Sequence, residues 1–410
     1  MSDSEPRPRF IQIHFLASYP GALLNRDDTG LAKRLPYGGA VRVRVSSQCL
    51  KRHWRMADDT RAIHRLAEEA GHEAERSKET VERRVVKPMR DRGDYDPAIV
   101  DAVEEAFVKG VYGAKAADKK SRQALLLGRA EIEHLQTLAE EVAREASDAK
   151  DAAERAAALF KDGKANFAAM RDANALAPGL ESALFGRMVT SDPRANTDAA
   201  IHVAHAFTVH EGEFEQDYFT VVDDLTGRSE ENEEGGTGAA GVFDTELASG
   251  LYYGYVVVDV PQLVSNLAGT RRALWSDAAT DRALAARVVE NLVHLVATVS
   301  PGAKRGSTAP YAYADAVLVE VGERQPRTLA RAFQAPVALA GEDAVSAKAS
   351  VSARAGDRLA HELSQIDAMY GGGEARWLAA RDELAFDGPE RMTLAALAER
   401  AGGCVRDAVL

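Results

Sequence analysis

A period of two opens the patterned part of the chain. From Phe10 to Ala17, Ile11, Ile13 and Phe15 alternate with Gln12, His14 and Leu16, which predicts a strand. After the polar loop Asn25-Arg26-Asp27-Asp28, Gly38-Gly39 leads into a second alternation, Val41-Arg42-Val43-Arg44-Val45. Its valines take one face and both arginines the other. Ser46 or Ser47 then caps a helix through Leu50 and Trp54, because a serine hydroxyl accepts a bond from the first-turn N–H groups. Between residues 58 and 180 the period changes: Ile132, Leu135, Ala139, Val142 and Ala146 recur at intervals of three and four among Ala, Glu, Arg, Lys and Leu. This stretch predicts an inserted helical subdomain.

Strand character returns over Ala200–His210, gives way to an acidic, glycine-ended excursion at 211–250, and resumes over Leu251–Val260. A helix over Asp281–Val299 buries Val288, Leu292, Leu295 and Val299, and a strand over Ala314–Val321 follows the loop Pro301–Gly306. The tail reads as helical, interrupted by Gly371-Gly372-Gly373. The order β, β, α, insertion, β, excursion, β, α, β predicts an α+β protein with a modified, split ferredoxin-like sheet carrying helices on one face. Residues 1–57 and 181–345 form that domain, 58–180 the insertion, 211–250 the excursion within the domain, and 346–410 a helical segment completing it.

The chain has 410 residues, 46% of them apolar, enough for a substantial core. Cys49 and Cys404 form no CxxC and no disulfide framework, so the protein reads as reduced and cytoplasmic. Neither a signal peptide nor a membrane-spanning apolar run is legible. The net charge of −12, spread evenly, would argue against a nucleic-acid binder. It is not spread evenly. Residues 211–234 hold ten acids against one arginine, whereas Thr29 to Ala57 holds seven Lys/Arg and no acid.

That basic window falls on the second strand and the helix after it. Arg42 and Arg44 share a strand face, and Lys51, Arg52 and Arg55 follow along the helix. With the Ser46, Ser47 and Gln48 side chains and the helix-start N–H groups, they suit a phosphodiester backbone. The plainer reading is a solvated basic face; the absence of local acidic partners for Arg42 and Arg44 favours binding. Lys304 and Arg305 supply a second phosphate contact.

Other motifs lead nowhere. Gly236-Thr237-Gly238-Ala239-Ala240-Gly241 matches GxGxxG, but the acidic run before it cannot be the buried strand of a dinucleotide fold. His202, His205 and His210 fall on diverging strand faces, so no metal site is predicted, and no cofactor either. Asp27 and Asp28 could position Mg²⁺ or activate a 2′-hydroxyl. Their plainer role is to neutralise arginines and satisfy loop amides.

Taken together, Leu24–Asp28, Val41–Arg52, Phe185-Gly186-Arg187-Met188-Val189-Thr190-Ser191, Ala200–Thr208, Tyr218–Leu225 and Pro301–Arg305 resemble the CasC family. This is the repeated backbone subunit of the type I-E CRISPR Cascade complex. The resemblance implies a hand-shaped subunit: an RNA-recognition-like (RRM-like) palm, helical fingers and a β-hairpin thumb. It implies a non-catalytic protein whose copies stack head to tail along guide RNA, beside other Cascade subunits. The neighbour's thumb displaces bases at intervals, and the guide then pairs with target DNA. Carried over, Arg44, Ser46, Gln48, Lys51 and Arg52 hold phosphates, Met188 presses on the kink, and Tyr218, Phe219 and Thr220 form the thumb wedge. The matching segments also bring Asn25, Arg26 and Arg187 into the RNA-binding set. Two other readings compete: a type III-like backbone subunit cleaving target RNA through Asp27 or Asp28, and a helical adaptor that binds only protein.

Overall fold

The computed structural model describes residues 7–113, 116–161, 167, 170, 174–222, 239–340, 349–382, 384, 386 and 388–410. In chain order the first elements are β1 (Phe10–Ala22), β2 (Arg34–Tyr37), β3 (Ala40–Val45), α1 (Ser47–Met56) and α2 (Ile63–Ala70). The insertion holds β4 (Ala74–Ser77), a π-helical turn (Val81–Val86), α3 (Lys87–Arg92), α4 (Pro97–Tyr112), β5 (Leu125–Gly128), α5 (Arg129–Glu145) and α6 (Ala149–Lys161). The chain continues through α7 (Leu180–Phe185), β6 (Ile201–Val203), β7 (Ala206–Thr208), β8 (Glu213–Val222) and β9 (Ala239–Asp259). Then come α8 (Val260–Ala268), α9 (Ala283–Thr298), α10 (Arg305–Thr308) and β10 (Ala314–Gly322). Last are α11 (Val351–Tyr370), β11 (Ala375–Ala380), β12 (Glu390–Arg391) and α12 (Leu394–Asp407).

The architecture is α+β, built on a large, mostly antiparallel sheet. Its order is β12-β11-β10-β1-β9-β7-β3-β2, with β6 and β8 also paired to β9. The alternation in β1 explains the layering. Ile11, Ile13, Phe15, Ala17 and Tyr19 point into a core shared with Leu50 and Trp54 of α1, Leu292 of α9 and Leu397 of α12. Leu16, on the other face, packs with Phe333 and with Leu359 and Leu363 of α11. Helices therefore cover both faces, not one as expected, and this is why Gln12 and His14 are buried as well. At Gly254 the two strands approach closely: a Cβ there would sit 2.0 Å from the Phe15 ring. Gly254→Ala is expected to cost about 1–3 kcal/mol of stability through overpacking. An unchanged urea midpoint would refute it.

The tail is not wholly helical. Gly371 ends α11 at φ 80°, and β11 then pairs antiparallel with β10. Nor is Ala200–His210 one strand. Val203 pairs with Val256 but Phe207 with Tyr253, so one extra residue is accommodated between β6 and β7. The bulge flips the alternation: Ile201 and Ala206 share one core, Phe207 and Val209 the other.

The insertion has its own core, with Val85, Phe107, Leu135 and Val142 among its buried residues. It differs from the expected span in two ways. Ile63 and Leu66 of α2 belong to the main core, and Val189 and Ala195 belong to the insertion. It also contains the β4–β5 ribbon, which the helical composition hid. Among the described residues no helix is long and apolar enough to cross a membrane.

Candidate nucleic-acid interface

The basic window folds as β3 running into α1. Ser46 caps the helix, its Oγ accepting the Cys49 N–H at 3.3 Å. Asn25 Oδ1 accepts the Ser46 N–H at 3.0 Å, which docks the Asn25–Asp28 loop against the junction. His205 Nδ1 accepts the Ser47 N–H at 3.1 Å, with an Arg44 guanidinium nitrogen 3.5 Å away. Partial burial and the cations of Arg44 and Lys33 lower the His205 pKa, keeping the imidazole neutral and its lone pair available. His205 joins the junction as an acceptor that the strand pattern did not reveal. Most first-turn donors are thus already used. Among the described residues the Gln48 N–H is left without an acceptor.

The cations here lack carboxylate partners. Arg26, Lys33, Arg44, Lys51, Arg52 and Arg305 form no ion pair among the described residues, whereas Arg34 pairs with Glu246 and Arg55 with Glu181. In the insertion, by contrast, Arg83, Arg84, Arg90, Arg92 and Arg129 each pair with an acid. Lys51 is half-buried, its ammonium 5.3 Å from the centre of the Phe185 ring, and burial lowers its pKa. Arg52, Gln48 and Arg26 are exposed.

Three expected contacts are corrected. Arg42 is fully buried, its guanidinium donating to the carbonyls of Tyr37, Thr208 and Phe333. The strand periodicity placed it on the right face, but that face is covered. Arg187 is buried too, donating to Glu131 at 2.6 Å and to the Leu126 and Ala195 carbonyls. Both arginines knit the fold and cannot reach an RNA phosphate. Ser46 is likewise buried, its hydroxyl oxygen accepting the cap bond from the Cys49 N–H. Met188, next to Arg187, is 63% exposed, on the insertion side where Gln123 donates to its carbonyl.

Loop 300–305 joins the same end of the sheet. The Ala303 N–H bonds the Leu23 carbonyl at 2.9 Å, and the His53 ring of α1 lies 3.4 Å from the Gly302 carbonyl. Arg305 is exposed, but Lys304 is turned aside: its ammonium donates to Thr245 Oγ1 at 2.7 Å and lies 5.5 Å from the Phe219 ring centre.

The excursion is a hairpin of β8 and β9 rising from this end. Tyr218, Phe219 and Thr220 are all exposed, Tyr218 at 71%. Tyr218 and Phe219, as successive strand residues, face opposite sides. Phe219 stacks on its cross-strand partner Phe243 at 5.6 Å, a residue sequence reasoning missed. The acidic loop and the start of the GxGxxG match, residues 223–238, lie outside the described residues, and Ala239 onward is strand.

Asp27 serves its own loop. Its Oδ1 accepts from the Thr29 N–H and hydroxyl and the Leu31 N–H, bonds that hold its pKa below the usual carboxylate range. His202 faces the Ala199 carbonyl, while His210 is buried and accepts the Leu251 N–H.

Comparison with known proteins adds a family and a fold. A family profile described as CT1975-like protein matches residues 11–401. A solved chain titled "CRISPR RNA-guided surveillance complex, pre-nicking" is 25% identical, with a TM-score of 0.72 over 97% of this chain and 100% of that one. A second, "CRISPR RNA-guided surveillance complex", shares the fold at 22% identity and a TM-score of 0.60, covering 96% of this chain and 100% of that one. No curated protein sequence matches the chain.

Proposed function

The chain belongs to the CT1975-like protein family, in agreement with the CasC resemblance of its motifs, and from this premise we propose that it is a non-catalytic, guide-RNA-binding subunit of a CRISPR surveillance complex. In this reading it is a type I-E Cascade component. It polymerises head to tail along the guide in the cytoplasm, beside other Cascade subunits, and the guide's own bases recognise target DNA.

The observation that carries the reading is the cluster of cations without carboxylate partners at the β3–α1 junction, in a chain of net charge −12. Leaving such charges unpaired makes sense where a polyanion supplies the counter-charge. The order β10-β1-β9-β7 supports an RNA-recognition-like palm, with the insertion as fingers and the β8–β9 hairpin as thumb. Because both sheet faces are covered, the RNA runs along the rim and is held by its backbone.

Three unrelated single-stranded RNAs of equal length are expected to bind the full chain with affinities within about threefold of one another, because phosphate contacts carry no sequence information. Log affinity should fall linearly with log salt, by about 0.7 per phosphate neutralised. A sequence preference above about tenfold, or indifference to salt, would refute backbone grip. Mg²⁺-dependent cleavage of complementary RNA that Asp27→Ala abolishes would overturn the non-catalytic reading.

A further inference from the structure

The hairpin is exposed on β8 from Glu213 to Val221, yet Glu246 on the paired strand is only 5% exposed. Its Oε1 accepts the Ala32 N–H at 2.8 Å and its Oε2 takes the Arg34 guanidinium at 2.6 Å. That guanidinium also lies 4.3 Å from the centre of the Phe214 ring on β8. The preceding residue, Thr245, holds the Lys304 ammonium, which is also close to the Phe219 ring. Neighbouring strand residues project to opposite faces. The hairpin root is therefore gripped from both sides, by the cationic side chains of Arg34, where the 25–33 loop enters β2, and of Lys304 in the 300–305 loop. The Gly21 N–H adds a third tie, to Ser249 Oγ at 2.8 Å.

Those loops are themselves anchored to the basic junction. The Lys33 N–H bonds the Asn25 carbonyl at 3.0 Å, the Asn25 side chain holds Ser46, and Ala303 is bonded to Leu23. Covalent and hydrogen-bonded links thus run unbroken from the hairpin root to the start of α1. A two-stranded ribbon standing alone has little rigidity of its own. A nearly buried carboxylate divided between an N–H and a guanidinium resists displacement, since moving it would strand a charge.

We infer that Glu246 and Thr245 are positioning residues: acting through Arg34 and Lys304, they fix the angle between the hairpin and the RNA-gripping junction. The distance along a bound RNA from backbone grip to hairpin contact is then set by the fold. The inference rests on the guide-RNA reading above and gives Lys304 a part in it other than a phosphate contact.

Dimethyl sulfate probing of a long single-stranded RNA coated with the full chain tests it. The wild-type chain should produce reactivity maxima at a constant interval. Glu246→Ala should retain the RNA but reduce the contrast between maxima and minima about tenfold, the population shift that follows loss of a charge-assisted contact. Thr245→Val should reduce it about threefold, as for a single hydrogen bond, and Thr245→Ser should restore it. The threonine pair decides the matter if Glu246→Ala fails to fold, because a partly exposed hydroxyl is dispensable for folding. Unchanged contrast in Thr245→Val, with RNA bound, would overturn the positioning role and leave the guide-RNA reading intact. A wild-type chain that binds no RNA, or binds it without a periodic pattern, would overturn the guide-RNA reading and this inference with it.

Discussion

Replacing Arg44, Lys51 and Arg52 together by alanine is expected to weaken RNA binding at least about a hundredfold at about 0.15 M salt, with each charge-assisted phosphate contact worth up to about tenfold. The loss should be the same for unrelated sequences. The salt slope should flatten by about 0.7 for each contact removed, or about two in all. The fold should tolerate the change, because none of the three side chains has a carboxylate partner or is fully buried. Arg44 gives up a 3.4 Å bond to the Arg34 carbonyl and a 3.5 Å contact with His205 Nδ1, and Lys51 leaves the face of Phe185. The control is Arg90→Ala, which removes a cation paired with Asp101 and Glu104 in the insertion and should leave binding unaltered. Anisotropy titrations across a salt series separate the two cases. A triple variant that binds like the wild type would remove the junction from the interface.

What the sequence made legible was local. The β1 and β3 alternations, the Ser46 cap and the acid-free window are contiguous, so periodicity and charge counting find them. The failures involve partners far apart in the chain. Arg42 looks like any strand arginine until carbonyls at 37, 208 and 333 close around it. Arg187 meets Glu131, and Glu246 meets Arg34, only because the sheet and the insertion bring them together. Strand β2 contains Pro36 and sits at the sheet edge, where proline is tolerated but strand signals are weak. Strand β11, Ala-Arg-Trp-Leu-Ala-Ala, has too few β-branched residues to stand out from the helices around it. The bulge between β6 and β7 leaves no mark in composition, yet it reverses which side chains face which core. The same limit hid the hairpin's aromatic partner, Phe243, which is adjacent to Phe219 only across the paired strands.

Glu320→Ala is expected to cost about 3–5 kcal/mol, because it removes a fully buried carboxylate on which His14 and two partly buried arginines converge. Glu320 is fully buried on β10 and accepts from His14 at 3.1 Å, from both terminal nitrogens of Arg327 at 2.6 and 2.7 Å, and from Arg376 Nε at 2.8 Å. Arg376 in turn pairs with Asp367 of α11, so a single carboxylate joins β1, β10, β11 and the helix over them. Burial alone would raise the Glu320 pKa, but the hydrogen bonds from His14 and Arg327 outweigh it and hold the group well below the ordinary carboxylate range. Burial lowers the His14 pKa despite Glu320, so the imidazole is neutral and its Nδ1 accepts from the Tyr253 hydroxyl at 2.9 Å. Both shifts act with the same sign. On acidification the unfolded chain protonates His14 near about pH 6.5 and Glu320 near about pH 4.3, while the folded chain resists both. Stability should therefore hold above about pH 7, begin to fall below about pH 6.5, and fall more steeply below about pH 4.5. Urea midpoints between pH 8 and 4 check the profile. In Glu320→Ala the steep acid limb should flatten, since the carboxylate that produced it is gone. A midpoint that rises on acidification, or a variant destabilised by less than about 1 kcal/mol, would show that the cations find other partners and that this network does not hold the far face of the sheet together.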